Sequence, residues 1–466
     1  MKHLFFFLSI AVGLHAVGQP VKNELNTAFQ KFLSDPDFKH ATISLYVYDK
    51  KSKSVITDYN SQIGLAPASC QKVITAATAY ALLGKDFRYK TDLSYTGKIN
   101  NGKLYGDIII TGSGDPTLGS WRYDGKKEKD VIDAFVNALL QAGINEIDGH
   151  VIYDNSSWNS EAIPDGWIWQ DIGNYYGAGA QALNWRENQY DLLLRSGSKV
   201  GSAVTIAGTV PSYVKNLHID CELTAGPAGS GDNAYIYLPG YGKKGSVRGT
   251  IPVNETKFSI SGSMPDPAGQ LAVLLEAAIK KQSPEQIEKN YFLKNPEKSA
   301  FEGATKIFTW ESPTLDSICY WFLQKSINLY GEALLKTMGE KFGKGGSTAY
   351  GVKVVQDFWK KQGIDNYALG IMDGSGLSPQ NRINTDVLVK VMRYAADQPW
   401  YNGFYDALPV INKTKMKSGS ISGVLSYTGY ISGNKGNFIF AIIVNNYNGS
   451  GSQTRRKMWN LIDVLK

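Results

Sequence analysis

The chain has 466 residues, of which 43% are hydrophobic and 20% charged, and carries a formal net charge of +7. That length calls for two or three cores, and the composition is that of an ordinary globular protein. The positive charge is spread without any Lys/Arg run, so nucleic acid is not indicated as a partner, whereas weak association with a membrane surface or an acidic wall polymer would fit.

At the N-terminus, Lys2 and His3 precede an apolar run from Leu4 to Leu14, which ends in the small residues Ala16, Val17 and Gly18. This is the layout of a cleavable secretory leader, residues 1–18, and it predicts a secreted, periplasmic protein. No later stretch has the length and apolarity of a membrane span. After the leader, Asn23–Phe32 reads as an amphipathic helix. Thr42–Asp49 alternates as a strand, and Val55–Tyr59 pairs with it across a turn. Ser69 then opens a helix of good formers that Gly84 closes.

From about Tyr89 to Val253 the texture becomes β-rich, with short strands predicted at Gly106–Thr111, His150–Tyr153, Leu192–Leu194, Ala203–Ile206 and Ala234–Leu238. Trp167, Trp169, Tyr175 and Tyr176 crowd one stretch of this block and read as packing aromatics rather than a glycan platform. Helical periodicity returns at Ala268–Lys280 and over Ser312–Lys341. The chain closes with strands at Lys415–Ser420, Leu425–Ser432 and Asn437–Val444, and with a helix at Thr454–Lys466 whose apolar face packs on a sheet built from both chain ends.

Three cysteines (Cys70, Cys221 and Cys319) make no disulfide framework and have no metal-ligand spacing. Of the histidines, only His40, His150 and His218 follow the leader, and none lies near a candidate nucleophile. No G-x-S-x-G elbow occurs, so a Ser-His-Asp hydrolase is not the expectation. A serine hydroxyl still needs a base, and a lysine can serve when burial or a nearby positive charge keeps it neutral. Ser69-Cys70-Gln71-Lys72 supplies that pair, because helical residues three apart share a face. Alone the pattern is weak: Ser196-Gly197-Ser198-Lys199 also matches, in a Gly-containing turn. Two further elements strengthen it. Ser326-Ile327-Asn328 lies between helical segments and offers a hydroxyl and an amide. Lys417-Ser418-Gly419-Ser420 opens the last sheet with a cation, a close-approach glycine and an edge amide. The backbone N–H groups of Ser69 and Ser420 would form an oxyanion hole.

With these motifs the chain resembles the class C low-molecular-mass penicillin-binding proteins, the D-alanyl-D-alanine carboxypeptidase/endopeptidases of the penicillin-binding-protein-4 type. Pro67-Ala68-Ser69-Cys70-Gln71-Lys72 matches the family's entry motif. Gly112-Ser113-Gly114-Asp115-Pro116-Thr117-Leu118, Ala182-Leu183-Asn184-Trp185-Arg186-Glu187-Asn188 and Asp373-Gly374-Ser375-Gly376-Leu377-Ser378 match further segments, with Arg186 in place of an asparagine. The resemblance implies an α+β fold, in which a β-lactamase/transpeptidase-like penicillin-binding domain (an antiparallel sheet between helices) is interrupted by a two-part β-rich insertion. The expected division is 19–88 with 276–466 for that domain, 89–165 with 248–275 for a first inserted body, and 166–247 for a second.

Carried over by position, the resemblance makes Ser69 the acylated nucleophile and Lys72 its proton acceptor. Ser326 passes a proton to the leaving amine, Asn328 holds the substrate amide, and Lys417 binds the terminal carboxylate. Ser418, Gly419, Ser420 and Ile421 line the substrate. The implied ligands are peptidoglycan peptides and β-lactam antibiotics, with no metal or cofactor. Ser418 stands where the family usually has Thr, and Ile327 where it usually has Asp, which removes a charge. Cys70 is expected to be buried, and Asp115 and Asp373 to organise turns. A β-lactamase and a catalytically idle wall-binding protein are the alternatives.

Overall fold

The computed structural model describes residues 18–240, 242–290 and 301–466, so the expected leader lies outside the described residues except for Gly18. The chain ends meet in a six-stranded antiparallel sheet. Its order is Val410–Ile411, Thr414–Ile421, Val424–Gly433, Gly436–Asn445, Thr42–Asp49 and Ser54–Tyr59. Thr42 pairs with Asn445 and Asp49 with Phe438, so an N-terminal strand is stitched along its whole length to a C-terminal one.

Successive side chains of a strand point to opposite faces, and here both faces are covered. Phe438, Phe440, Ile442 and Val444 pack with Val21, Leu25, Met458 and Leu461 of the two terminal helices, Gly18–Leu33 and Gly451–Asp463. Ile439, Ala441 and Ile443 pack on the other side, against Val73, Leu334, Leu388 and Met392 of the central helices. This two-sided burial explains the unbroken apolar run of Gly436–Asn445, which would otherwise alternate.

The Lys72–Leu83 helix lies in the middle of that second layer, beside the helices Leu315–Gln324, Asn328–Phe342 and Thr385–Ala396. The helical stretch expected over Ser312–Lys341 is broken in two, and Ser326 at the break has a left-handed φ of 57°.

Between Leu83 and Leu315 the chain builds two further bodies. The first is a four-stranded sheet ordered Thr305–Glu311, Lys90–Tyr95, Ile108–Thr111 and Val151–Asp154, packed under the helices Glu128–Gln141 and Pro267–Lys280. The second holds two three-stranded sheets around Leu192, Leu223, Ile236 and Val247. Both return limbs run past the expected boundaries. Thr305–Glu311 pairs with Lys90–Tyr95, so the first body takes in a strand that lies beyond the expected limit at residue 275. Phe258–Ser263 pairs with Gln189–Arg195, so the second body extends past residue 247. Composition shows that a segment is β-rich, but not which distant strand completes its ladder. No helix among the described residues is long and apolar enough to cross a membrane.

Candidate active site

The serine turn is held by its surroundings. Ala68 has a left-handed φ of 45° and is fully buried, an uncommon conformation for a residue with a β-carbon. Residues Ala68–Gln71 then form a single 3-10 turn, and the α-helix proper begins at Lys72 rather than at Ser69. In a 3-10 turn residues three apart eclipse one another, so Lys72 comes directly beside Ser69. The second Ser-x-x-Lys has no helix to do this: Ser196 Oγ is engaged by Pro252 O at 2.6 Å and Glu255 N at 3.0 Å.

Lys72 is fully buried and its Nζ has three partners: Ser69 Oγ at 2.9 Å, Asn328 Oδ1 at 2.6 Å and Ser375 O at 2.7 Å. The Asn328 amide cannot turn over freely, because its Nδ2 donates to Tyr176 O at 2.7 Å. Burial, and then the nearby Lys417 cation, hold the Lys72 ammonium well below the usual lysine range, against opposing pulls from Asp373 and Glu332. Lys417 is buried in turn, donates to Ser418 O at 2.8 Å, and is pushed down to about 8 by desolvation.

The strand Thr414–Ile421 presses on this turn at Gly419. A β-carbon there would stand 2.5 Å from Pro67 O and 2.8 Å from Ser69 N. On its outer side the strand is paired only at Thr414 and Lys415, by Val410–Ile411. The outer edge of Lys417–Ile421 is therefore unpaired among the described residues, as an edge that accepts an extended peptide must be. Ser69, Ser326, Asn328, Ser420 and Ile421 line one cleft of about 640 Å³, to which Tyr175, Tyr176 and Asp171 also contribute. Lys72 and Lys417 lie buried behind its wall. Ile327, which stands where the family usually has Asp, packs half-buried on the main core and touches the cleft.

A buried loop supports the lysine. Asp373 accepts from Gly376 N at 2.7 Å, Ser378 N at 2.6 Å, Asn381 Nδ2 at 3.0 Å and Trp167 Nε1 at 2.8 Å. Its turn-organising role is as the sequence suggested, and Asp115 does the same for Thr117, accepting from N at 2.8 Å and Oγ1 at 2.6 Å. The loop carbonyls face the Lys72–Leu83 helix: Gln71 Nε2 reaches Asp373 O at 2.6 Å and Thr75 Oγ1 reaches Gly374 O at 2.7 Å. From the neighbouring helix, Glu332 accepts from Gly374 N at 2.9 Å, and burial with Asp373 alongside pushes its carboxyl up to about 8.

Glu332 and the Ser375 carbonyl escaped the sequence reading. A carboxylate one turn after Asn328, beside Ala333, Leu334 and Leu335, was the available signal for the first. A backbone acceptor has no residue-type signature. Cys70 is buried as expected, donating to Lys417 O at 3.2 Å, and desolvation pushes its thiol up to about 11. The four aromatics divide: Trp167 packs, whereas Trp169 and Tyr175 are about half exposed and Tyr176 faces the cleft.

The architecture defines the class. The crystal structure of penicillin binding protein 4 (dacB) from Haemophilus influenzae superimposes with a TM-score of 0.74, at 21% identity, covering 95% of this chain and 99% of that one. The same protein complexed with a β-lactam gives 0.68 at 20% identity, covering 94% and 97%. The fold is thus that of a penicillin-binding protein with an interrupted transpeptidase-like domain. The profile of the D-Ala-D-Ala carboxypeptidase 3 (S13) family matches residues 25–465, and the chain belongs to that family of serine-type D-Ala-D-Ala carboxypeptidases. The D-alanyl-D-alanine carboxypeptidase of Actinomadura sp. (strain R39) is 24% identical over 459 residues, spanning 91% of this chain and 82% of the relative.

Proposed function

We propose that the chain acts on the wall outside the cytoplasm, in the periplasm, after loss of its leader. It removes the terminal D-Ala from peptidoglycan stem peptides and cuts D-Ala-linked cross-bridges, both through an ester on Ser69.

The observation that carries this reading is the trio of partners on Lys72. A neutral amine has two hydrogens and one lone pair. A backbone carbonyl and the fixed oxygen of Asn328 can only accept, so they take both hydrogens. The lone pair is left for the hydroxyl of Ser69, which is what a general base requires.

With the terminal carboxylate drawn to Ser418 by the Lys417 charge behind the cleft wall, Ser69 Oγ attacks the carbonyl carbon of the penultimate D-Ala as Lys72 takes its proton. The oxyanion rests on the N–H groups of Ser69 and Ser420. The C–N bond breaks as the proton reaches the leaving amine through Ser326, while Asn328 and the edge strand hold the acyl chain and Ile421 its side chain. Water then hydrolyses the ester and restores the hydroxyl. A β-lactam presents the same carboxylate and a strained amide but retains its leaving group, which leaves a long-lived adduct. The β-lactam complex of the Haemophilus relative supports the extension to this chain.

The test is peptide mapping after incubation with benzylpenicillin. A penicilloyl mass increment on the peptide carrying Ser69, absent in Ser69→Ala, is expected. An increment elsewhere, or none, would overturn the assignment.

A further inference from the structure

We propose that the outer face of the second inserted body is a carbohydrate-binding platform for the glycan that carries the stem peptide. The ligand's identity rests on the hydrolase reading above; the geometry does not.

The face belongs to the sheet of His218–Gly226, Lys244–Pro252 and Asn233–Tyr237. Its inner side is filled by Leu223, Ile236 and Val247. On its outer side Tyr235 and Glu222 flank Arg248 from opposite strands, and Tyr237 and Asp220 flank Ser246. Trp169 stands over this face with its ring 6.1 Å from that of Tyr237, and the Arg248 guanidinium lies 5.2 Å from the same tyrosine ring. Trp169 is 50% exposed and Tyr235 39%. Trp169, Tyr237, Arg248, Glu222, Ser246 and Asp220 bound a shallow depression of about 320 Å³, and Tyr235 stands beside it, on the side of the Ser69 cleft.

The tryptophan is exposed but firmly mounted. Asn174 Nδ2 donates to Gln170 O at 2.7 Å, and Asn174 Oδ1 accepts from Ile236 N at 3.0 Å. Gly173 lies so close that a β-carbon would come within 2.1 Å of Ile236 O. A large ring held rigidly in water is a surface prepared for a ligand.

The charges say which kind. Arg248 pairs with Glu222 at 3.0 Å and Lys244 with Asp220 at 3.0 Å, so the face is balanced and is no trap for an anion. Aromatic faces beside matched donors and acceptors suit an uncharged ligand with C–H faces and many hydroxyl and amide groups, which describes N-acetylated hexosamines. Position says which glycan. Ile168 and Gln170, on either side of Trp169, line the cleft of Ser69, as does Tyr235. The platform therefore begins where the cleft wall ends, and a stem peptide in the cleft has its own glycan at hand.

The probe is the β-1,4-linked tetramer of N-acetylglucosamine, titrated calorimetrically into Ser69→Ala protein, which cannot turn over. Saturable binding is expected, weakened about tenfold or more by Trp169→Ala and by Tyr237→Ala. With Ser69 intact, Trp169→Ala should raise KM for glycan-linked stem peptide and leave KM for a free pentapeptide unchanged. Unaltered melting and penicillin labelling would show that the variants fold. No binding of the tetramer, or equal binding by folded variants, would overturn the platform even with hydrolysis intact. Binding lost with Trp169 in a protein that cleaves no stem peptide would uphold the platform and refute the cleft reading alone.

Discussion

Gly419→Ala adds one methyl group at the point where the strand Thr414–Ile421 bears on the turn that carries Ser69. The new β-carbon would meet Ser426 Oγ at 2.3 Å, Pro67 O at 2.5 Å and Ser69 N at 2.8 Å. Ser426 has little room to yield, since its hydroxyl already donates to Pro67 O at 2.5 Å. The other two atoms are backbone, one of them the amide assigned to the oxyanion hole. Restoring ordinary contact needs a separation of about 0.5–1 Å between the strand and the serine turn. A displacement of that size at reacting groups costs on the order of a hundredfold in rate, or about 2.7 kcal/mol of barrier. Overpacking adds about 1–3 kcal/mol of lost stability. Acylation by a fluorescent penicillin, followed over time beside a thermal melt, measures both. Wild-type acylation in Gly419→Ala would refute the claim that this contact sets the oxyanion geometry.

Acylation should depend on pH through two lysines. It rises as Lys72 loses its proton, in the range well below that of an ordinary lysine, and falls through about 8 as Lys417 loses the charge that holds the carboxylate. Lys417→Met should abolish the falling limb, and a falling limb that persists in that variant would rule out Lys417 as its source. Because Lys417 releases its proton more readily when folded, the unfolded chain holds more protons between about 8 and 10.5, and its contribution to stability rises with pH there. Lys72, lowered in the same direction, acts with the same sign. Asp373→Ala leaves five N–H donors without their carboxylate and should cost on the order of 3–5 kcal/mol in urea unfolding. A loss under about 1 kcal/mol would mean that water replaces those bonds.

What the sequence disclosed follows from what leaves a trace in residue types. Ser69 and Lys72 were legible because a three-residue spacing survives even when the turn is 3-10 rather than α. The two-sided burial of Gly436–Asn445 left an apolar run, and Gly84 marked a helix end that does have a left-handed φ of 83°. Ser326 gave no warning of its φ of 57°, since nothing in a serine announces that conformation. The pairing of Thr305–Glu311 with Lys90–Tyr95 was hidden by the long chain between them. Trp167 and Trp169 are chemically alike and two residues apart, yet one donates to Asp373 inside the protein and the other stands in water. That difference comes from which body each rests on, and a single sequence does not carry it.

The central claim is that Ser69, served by Lys72, cleaves D-Ala peptides of the wall. Digesting purified muropeptides with wild type and with Ser69→Ala, then separating the products, tests it most directly. Wild type should shorten pentapeptide monomers by one residue and convert cross-linked dimers to monomers, and Ser69→Ala should leave both untouched. Profiles unchanged by either protein, or changed equally by both, would contradict it.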